Sequence, residues 1–308
     1  MIKIERKIVK DKPFFYLTEQ INIGSSFKKI QVYIGKNIPN DLSEYYAKLQ
    51  NKEIEIVNDN IETIYALDVQ IPIEEYKKIE ILRIKWKYFF INLSDYKKEQ
   101  FWRGFAIKFI FESNTIEGSK LSEKEVEKII KKQRIKKTVE KKEIIEVNNA
   151  IKAFELIRGG NFKLSQLSII ELHRLVTNNL DIEVGYKKKN IIVNNKETVS
   201  PNKVRKNMSE LLAWFSEQQK KKTHPFILAT IFHNRFEYIH PFEDGNGRIG
   251  RLLFVWMLLK SGYSVILFKN KNRTSYFSAL DQADNDRLQK LFRYCIRVYK
   301  RTAKDLLQ

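Results

Sequence analysis

The pattern of apolar positions changes period once along the chain. Over residues 1–36, aromatic and β-branched residues alternate with polar ones in "PFFYLTEQINIGSSFKKIQVYIGK". The break at Gly24-Ser25-Ser26 predicts a β-hairpin. Segments 40–51 and 73–92 carry helical spacing. From Ser94 onward the rhythm is mostly helical. The stretch "YKKEQFWRGFAIKFIFESNTIEGSKLSEKEVEKII" predicts one helix, a break at Gly118 and a second helix whose Ser122 and Glu125 form a capping box. Further helices are expected near 143–158, 165–179, 203–220, 225–239, 247–262 and 284–305. One internal segment interrupts them: in "GYKKKNIIVNNKETVSPNK" (185–203), β-formers around Asn194-Asn195 predict a short hairpin. The expected architecture is mainly α. A small α/β extension (1–93) precedes a connecting helical segment (94–142) and a helical core (143–308).

Composition narrows the class. No apolar run is long enough to span a bilayer, so no membrane partner is expected. The start, "MIKIERKIVKDKPFF", lacks the apolar region of a signal peptide. Cys295 is the single cysteine. A cytoplasmic location is the expectation. Lys and Arg outnumber Asp and Glu by 57 to 37, a formal charge of +20. That excess raises a nucleic-acid partner as one reading. The densest basic cluster, "KKQRIKKTVEKK" (131–142), has no interleaved aromatics for base stacking, and a solvated lysine-rich surface accounts for it as well.

The candidate chemistry lies in "HPFEDGNGRIGR" (240–251), a polar loop between two apolar helices. The helix after it is apolar almost all round from Leu252 to Leu259, so it should be buried. Its first turn nevertheless carries Arg248 and Arg251, three apart on one face. Cations at a helix N-terminus oppose the macrodipole, and an anion there removes the conflict. Gly245 and Gly247 let the backbone turn and approach a ligand closely. Asp244 could hold Mg²⁺ against phosphate oxygens, and His240 is the side chain suited to base catalysis near neutral pH. Together these form a phosphoryl- or nucleotidyl-transfer set. The alternative is an Asx-rich turn with a satisfied histidine.

The loop resembles the signature of the Fic family, H-P-F-x-D/E-G-N-G-R-x-x-R, at every specified position. The resemblance implies a helical Fic core with a β-hairpin flap and transfer of AMP from Mg-ATP to a Ser, Thr or Tyr hydroxyl of a protein. By that resemblance His240 would deprotonate the hydroxyl and Asp244 would bind Mg²⁺. Gly245, Asn246 and Gly247 would line the anion hole, within a nucleotide site that takes in Ile249 and Gly250. Arg248 and Arg251 would hold the β- and γ-phosphates. "YFSALDQADNDRLQKLF" (276–292) is similar to the family's C-terminal helix region, which would put Tyr276 and Phe277 near the adenine or ribose. Asp284 stands where many members have Asn. Ile191, Ile192, Val193 and Asn194 match the flap strand over the nucleotide. Lys187 stands where the family commonly has Arg, and cannot make a bidentate contact.

A second motif, "SNTIEG" (113–118), matches the family's inhibitory pattern through Ser113, Glu117 and Gly118. It precedes the signature, as in the class with an N-terminal inhibitory helix. Glu117 would supply a carboxylate to Arg251 in place of the γ-phosphate, and the chain itself is a potential substrate. Homodimerisation is common among relatives of this kind. Other readings remain on the same fold: removal of AMP with Glu117 positioning water, a kinase-like member with inverted nucleotide, or other nucleotide and phosphocholine donors. Gly247 argues against the kinase-like form, which carries a lysine there. A nucleic-acid-binding regulator is the reading from outside the enzyme class. His233 is expected to serve helix packing, and His173 and His224 are isolated in sequence.

Overall fold

The structure, a computed structural model, describes residues 2–68, 70–193, 196–285 and 287–307. The N-terminal alternation forms three strands, not only a hairpin: β1 (Lys3–Val9), β2 (Lys12–Ile23) and β3 (Ser26–Gly35), in antiparallel order β1-β2-β3. The second turn is the expected one. Ile23 pairs with Ser26, and Gly24 takes the left-handed φ of 61° that the tight turn demands. The extra strand is joined through Lys10 and Asp11, both at positive φ, a turn without the usual glycine signal.

The helices mostly follow the expected spacing, but the first runs on past residue 51 to Asp59 and a short one at 61–64 was not expected. They are α1 (Ser43–Asp59), α2 (Ile61–Ile64), α3 (Ile73–Ile91), α4 (Asp95–Ile116), α5 (Glu123–Ile130), α6 (Lys141–Arg158) and α7 (Gln166–Val176). The flap hairpin is β4 (Ile192–Val193) paired antiparallel with β5 (Lys196–Glu197). Then come α8 (Pro201–Lys220), α9 (Pro225–Ile239), α10 (Asn246–Lys260), α11 (Arg273–Asp284) and α12 (Leu288–Leu306). Ser122 and Glu125 form the full capping box at α5. Asn194 and Asn195 lie outside the described residues.

Two apolar clusters organise the chain. The larger is built around α10, whose residues from Ile249 to Leu258 are all buried. The smaller lies between the sheet, α1 and α3. Helix α3 falls on the extension's side of the expected boundary at residue 93, yet it packs into both. Tyr76, Ile79 and Trp86 join the larger cluster, whereas Ile84 and Tyr88 join the smaller. A buried polar network fastens the same helix to the core. Glu80, fully buried, accepts from Arg83 Nε at 2.7 Å, bonds to the Tyr263 hydroxyl and lies 3.3 Å from His224 Nε2. Burial alone would raise the Glu80 pKa. Arg83, then the partnership with His224 and Tyr263, outweigh it and hold the carboxyl at about 2. Among the described residues, no helix is long and apolar enough to cross a membrane.

Candidate active site

Helix α9 ends at His240, whose backbone is left-handed (φ 49°, ψ 62°) and whose N–H closes the last turn on the Phe236 carbonyl at 3.0 Å. A non-glycine residue held there is costly, and such strain persists only where the surroundings fix it. The turn that follows is tied on several sides. The Asn246 side chain accepts from Phe242 N–H and donates to Phe242 C=O, both at 2.9 Å. Gly245, the residue before α10, sits at φ 84°. His173 stacks on Phe242 with centroids 4.0 Å apart. Its Nδ1 accepts from Gly185 N–H at 3.3 Å, so its Nε2 is the protonated nitrogen and donates to Asp244 C=O at 3.2 Å. Burial pulls the His173 pKa down to about 4, consistent with that neutral form. His173 is isolated only in sequence; in space it is a buttress of the loop.

The two arginines of α10 are buried, 6 % and 1 % exposed. The anions that the sequence demands there are supplied by the protein's own carboxylates. Arg251 Nη2 donates to Glu117 Oε1 at 2.7 Å and to Ser113 C=O at 3.0 Å, while its Nε donates to Ser113 Oγ at 3.0 Å. Arg248 donates to Glu146 Oε1 at 3.1 Å and to Asp244 Oδ1 at 3.2 Å. Glu117 closes α4 as its C-cap, and Gly118 follows at φ 105°, the turn that releases the chain from the helix. A Cβ on Gly247 would lie 2.2 Å from Glu117 Oε1 and 2.9 Å from Arg251 Nη1. Any side chain at 247 would force the Glu117 carboxylate to shift from its present contact with the arginine.

Several candidate residues are placed differently from the expectation. Ile249 is fully buried and its N–H is used by the Gly245 carbonyl at 3.0 Å, so it does not line the loop's open side. The Asn246 side chain uses its oxygen and one of its two Nδ2 hydrogens on the Phe242 backbone. Tyr276 is 1 % exposed and packs against Phe268 and Tyr294, with its hydroxyl 2.7 Å from His233 Nε2. Its long apolar ring favours the core, and His233 supplies the polar partner. Phe277, half-buried under Arg273, keeps a partly open ring. Asp284, in the Asn-like position, accepts from Asn234 Nδ2 at 2.8 Å. In the flap, Ile192 is 65 % exposed and Ile191 C=O accepts from Thr198 N–H at 3.1 Å. Lys196 of β5 pairs with Asp281 of α11, which fastens the hairpin over that helix. Asn194 lies outside the described residues.

Sequence reasoning missed Glu146 and Glu237. Glu237 lies one turn before His240 against Gly250, where a Cβ would come 2.2 Å from its Oε1. That oxygen has no hydrogen-bond partner among the described residues. Burial pushes the Glu237 pKa up to about 8; Arg251 opposes the shift, and Glu117 and Asp284 add to it. An acid at i−3 from the histidine was the available signal. For His240, burial is the main cause of a pKa drawn down to about 4, and the charge of Lys187 acts in the same direction.

A half-buried histidine at a strained helix end, a stapled polar turn and an arginine-bearing buried helix define a Fic-type helical fold. The comparisons agree. Residues 163–258 match the Fic/DOC family. It is similar to protein adenylyltransferase Fic of Nematostella vectensis, 30 % identical over 202 residues, covering 63 % of this chain and 47 % of that protein. It is also similar to protein adenylyltransferase fic-1 of Caenorhabditis elegans, 27 % identical over 193 residues, covering 60 % and 38 %. The chain thus spans less than half the length of these curated relatives. A solved Fic domain-containing signalling protein of Bacteroides thetaiotaomicron superposes with a TM-score of 0.68 at 25 % identity, covering 74 % of this chain and 95 % of that one.

Proposed function

We propose that this protein is a self-inhibited adenylyltransferase that moves AMP from Mg-ATP to a hydroxyl side chain of a protein. The observation that carries the reading is the Arg251–Glu117–Ser113 contact across Gly247, beside a histidine fixed at the mouth of the loop. In the proposed reaction His240 takes the proton of the target hydroxyl, whose oxygen attacks the α-phosphorus as pyrophosphate leaves. Arg251, released from Glu117, holds the outer phosphates, and the N–H groups at the start of α10 face the developing charge. Asp244 is the residue suited to Mg²⁺. Its carboxylate is half-exposed, 51 %, and a single carboxylate plus phosphates is the usual Mg²⁺ set. The ion would neutralise phosphate charge when bound.

The reading is tested by donor labelling. Label from α-labelled ATP should appear on protein with release of pyrophosphate, and label from γ-labelled ATP should not. Transfer of the γ-label would make the protein a kinase. Target docking is proposed to use the flap, where the exposed strand at Ile192–Val193 can pair with an extended segment through its backbone. Proline at Ile192 removes one backbone donor. It should cut target modification roughly tenfold while ATP affinity changes less than about twofold. Equal modification by Ile192→Pro would exclude strand docking.

A further inference from the structure

Lys187, like Asp284, is a residue where the sequence departs from the family pattern, and its surroundings are unusual for a lysine. It is 3 % exposed. No carboxylate pairs with it among the described residues, although a buried ammonium ordinarily has one. Its donors instead go to backbone and flap. The Lys187 N–H donates to Pro241 C=O at 2.9 Å, and its Nζ donates to Ile239 C=O at 3.4 Å. The two carbonyls on either side of His240 are therefore gripped by one residue. A third bond runs the other way, from Nζ to Thr198 Oγ1 at 2.5 Å. Thr198 Oγ1 in turn donates to Ile191 C=O at 2.8 Å, at the root of β4. The chain of contacts links the histidine's turn to the flap through one buried cation.

We infer that Lys187 is a positioning residue that locks the strained turn at His240 to the flap and sets its positive charge against the imidazole. The inference rests on the proposed role of His240 as base. It has two separable consequences. First, the bracket at Ile239 and Pro241 holds the left-handed backbone of His240, so the ring and the docking strand share one frame. Second, the charge disfavours a second cation beside it and keeps His240 in its proton-accepting form. Glu117 and Asp244 also act on the imidazole in the opposite direction, as does the histidine's hydrogen bond to the Glu237 backbone. Burial pushes Lys187 itself down to about 8, so its charge is present at neutral pH and is lost above that value.

The test uses the full chain with isotope-labelled histidine, following the His240 ring by NMR against pH and flap amides by hydrogen exchange. Lys187→Met should raise the His240 titration midpoint by roughly one pH unit and speed exchange of the β4 and β5 amides about tenfold. Lys187→Arg keeps the charge, so its His240 midpoint should stay near wild type. Thr198→Val cuts only the flap branch: faster flap exchange, unchanged His240 titration. Wild-type titration and exchange in Lys187→Met would overturn the inference. If that variant does not fold, a wild-type flap in Thr198→Val together with a shifted His240 midpoint in Lys187→Arg would do the same. These readouts need no turnover, so absence of AMP transfer in every variant, wild type included, would defeat the adenylyltransferase reading and leave this one standing.

Discussion

Replacing Glu117 by Gly is expected to raise AMP transfer about tenfold over wild type. The carboxylate holds Arg251 at 2.7 Å, and under the proposed function it occupies the guanidinium that would take an outer phosphate. Charge-assisted hydrogen bonds contribute about 1.5–3 kcal/mol, which by itself would allow ten- to hundredfold release. The Glu117 side chain is 38 % exposed, however, and solvent screening favours the lower end. Arg251 does not collapse when its partner leaves, because Ser113 still takes its Nε and one Nη2 bond. The guanidinium stays aimed with one direction open. Auto-modification should rise in parallel. Glu117→Gly with Arg251→Ala should lose the gain, since the freed partner is gone. The measurement is incorporation of α-labelled AMP under single-turnover conditions. Equal rates for wild type and Glu117→Gly would reduce "SNTIEG" to an ordinary helix end and leave the transferase reading untouched.

The regions legible in the sequence share a physical character. Helix boundaries could be read where local signals and periodicity agreed, as at the Ser122 capping box or at Pro225, whereas α8 begins at Pro201, two residues before the expected start. The His240–Arg251 turn stood out because two cations at the start of a buried helix require anions. What could not be read was which anions. Glu146 lies 102 residues from Arg248 on a different helix, and nothing in its local sequence distinguishes it from a solvated acid. His173 is similar: its stacking on Phe242 exists only once α7 packs beside the loop. Tyr276 was read from the resemblance to the family's C-terminal helix region, but whether a ring faces a pocket or the core is decided by neighbours, here His233, Phe268 and Tyr294. Strand β1 escaped notice because its turn at Lys10-Asp11 carries no glycine and its residues are mostly exposed. Lys187 was visible as a departure from a pattern; its burial and its three bonds were not.

Replacing His240 by Ala is expected to abolish transfer to protein while leaving ATP affinity within a few fold. Loss of a general base costs ~10²–10⁴ in rate. Neither neighbouring histidine can stand in for it. His173 is committed to Gly185 and Asp244, and His233 is 1 % exposed with its Nε2 on Tyr276. Burial, then Arg251's charge, holds His233 at about 3, so it stays neutral and bonded. The comparison belongs in the Glu117→Gly background, where turnover is fast enough to measure a large loss. The pH profile adds an independent check. With its pKa drawn down to about 4, His240 is neutral and able to accept a proton throughout the neutral range. Transfer should therefore be flat between about pH 6 and 7.5, without the inflection near 6.5 that an unperturbed histidine gives. Stability moves in a related way. The unfolded chain binds protons at these histidines below about 6.5, while the folded chain resists until about 4. Stability is thus fully present above 6.5 and declines as pH falls through that window. His240→Ala removes one such group, so the variant should lose less stability between pH 6.5 and 4 than its parent, measured by thermal melts. A His240→Ala protein that still labels targets at the parent's rate would remove the histidine from the mechanism and, with it, the reading of this loop as the catalytic centre.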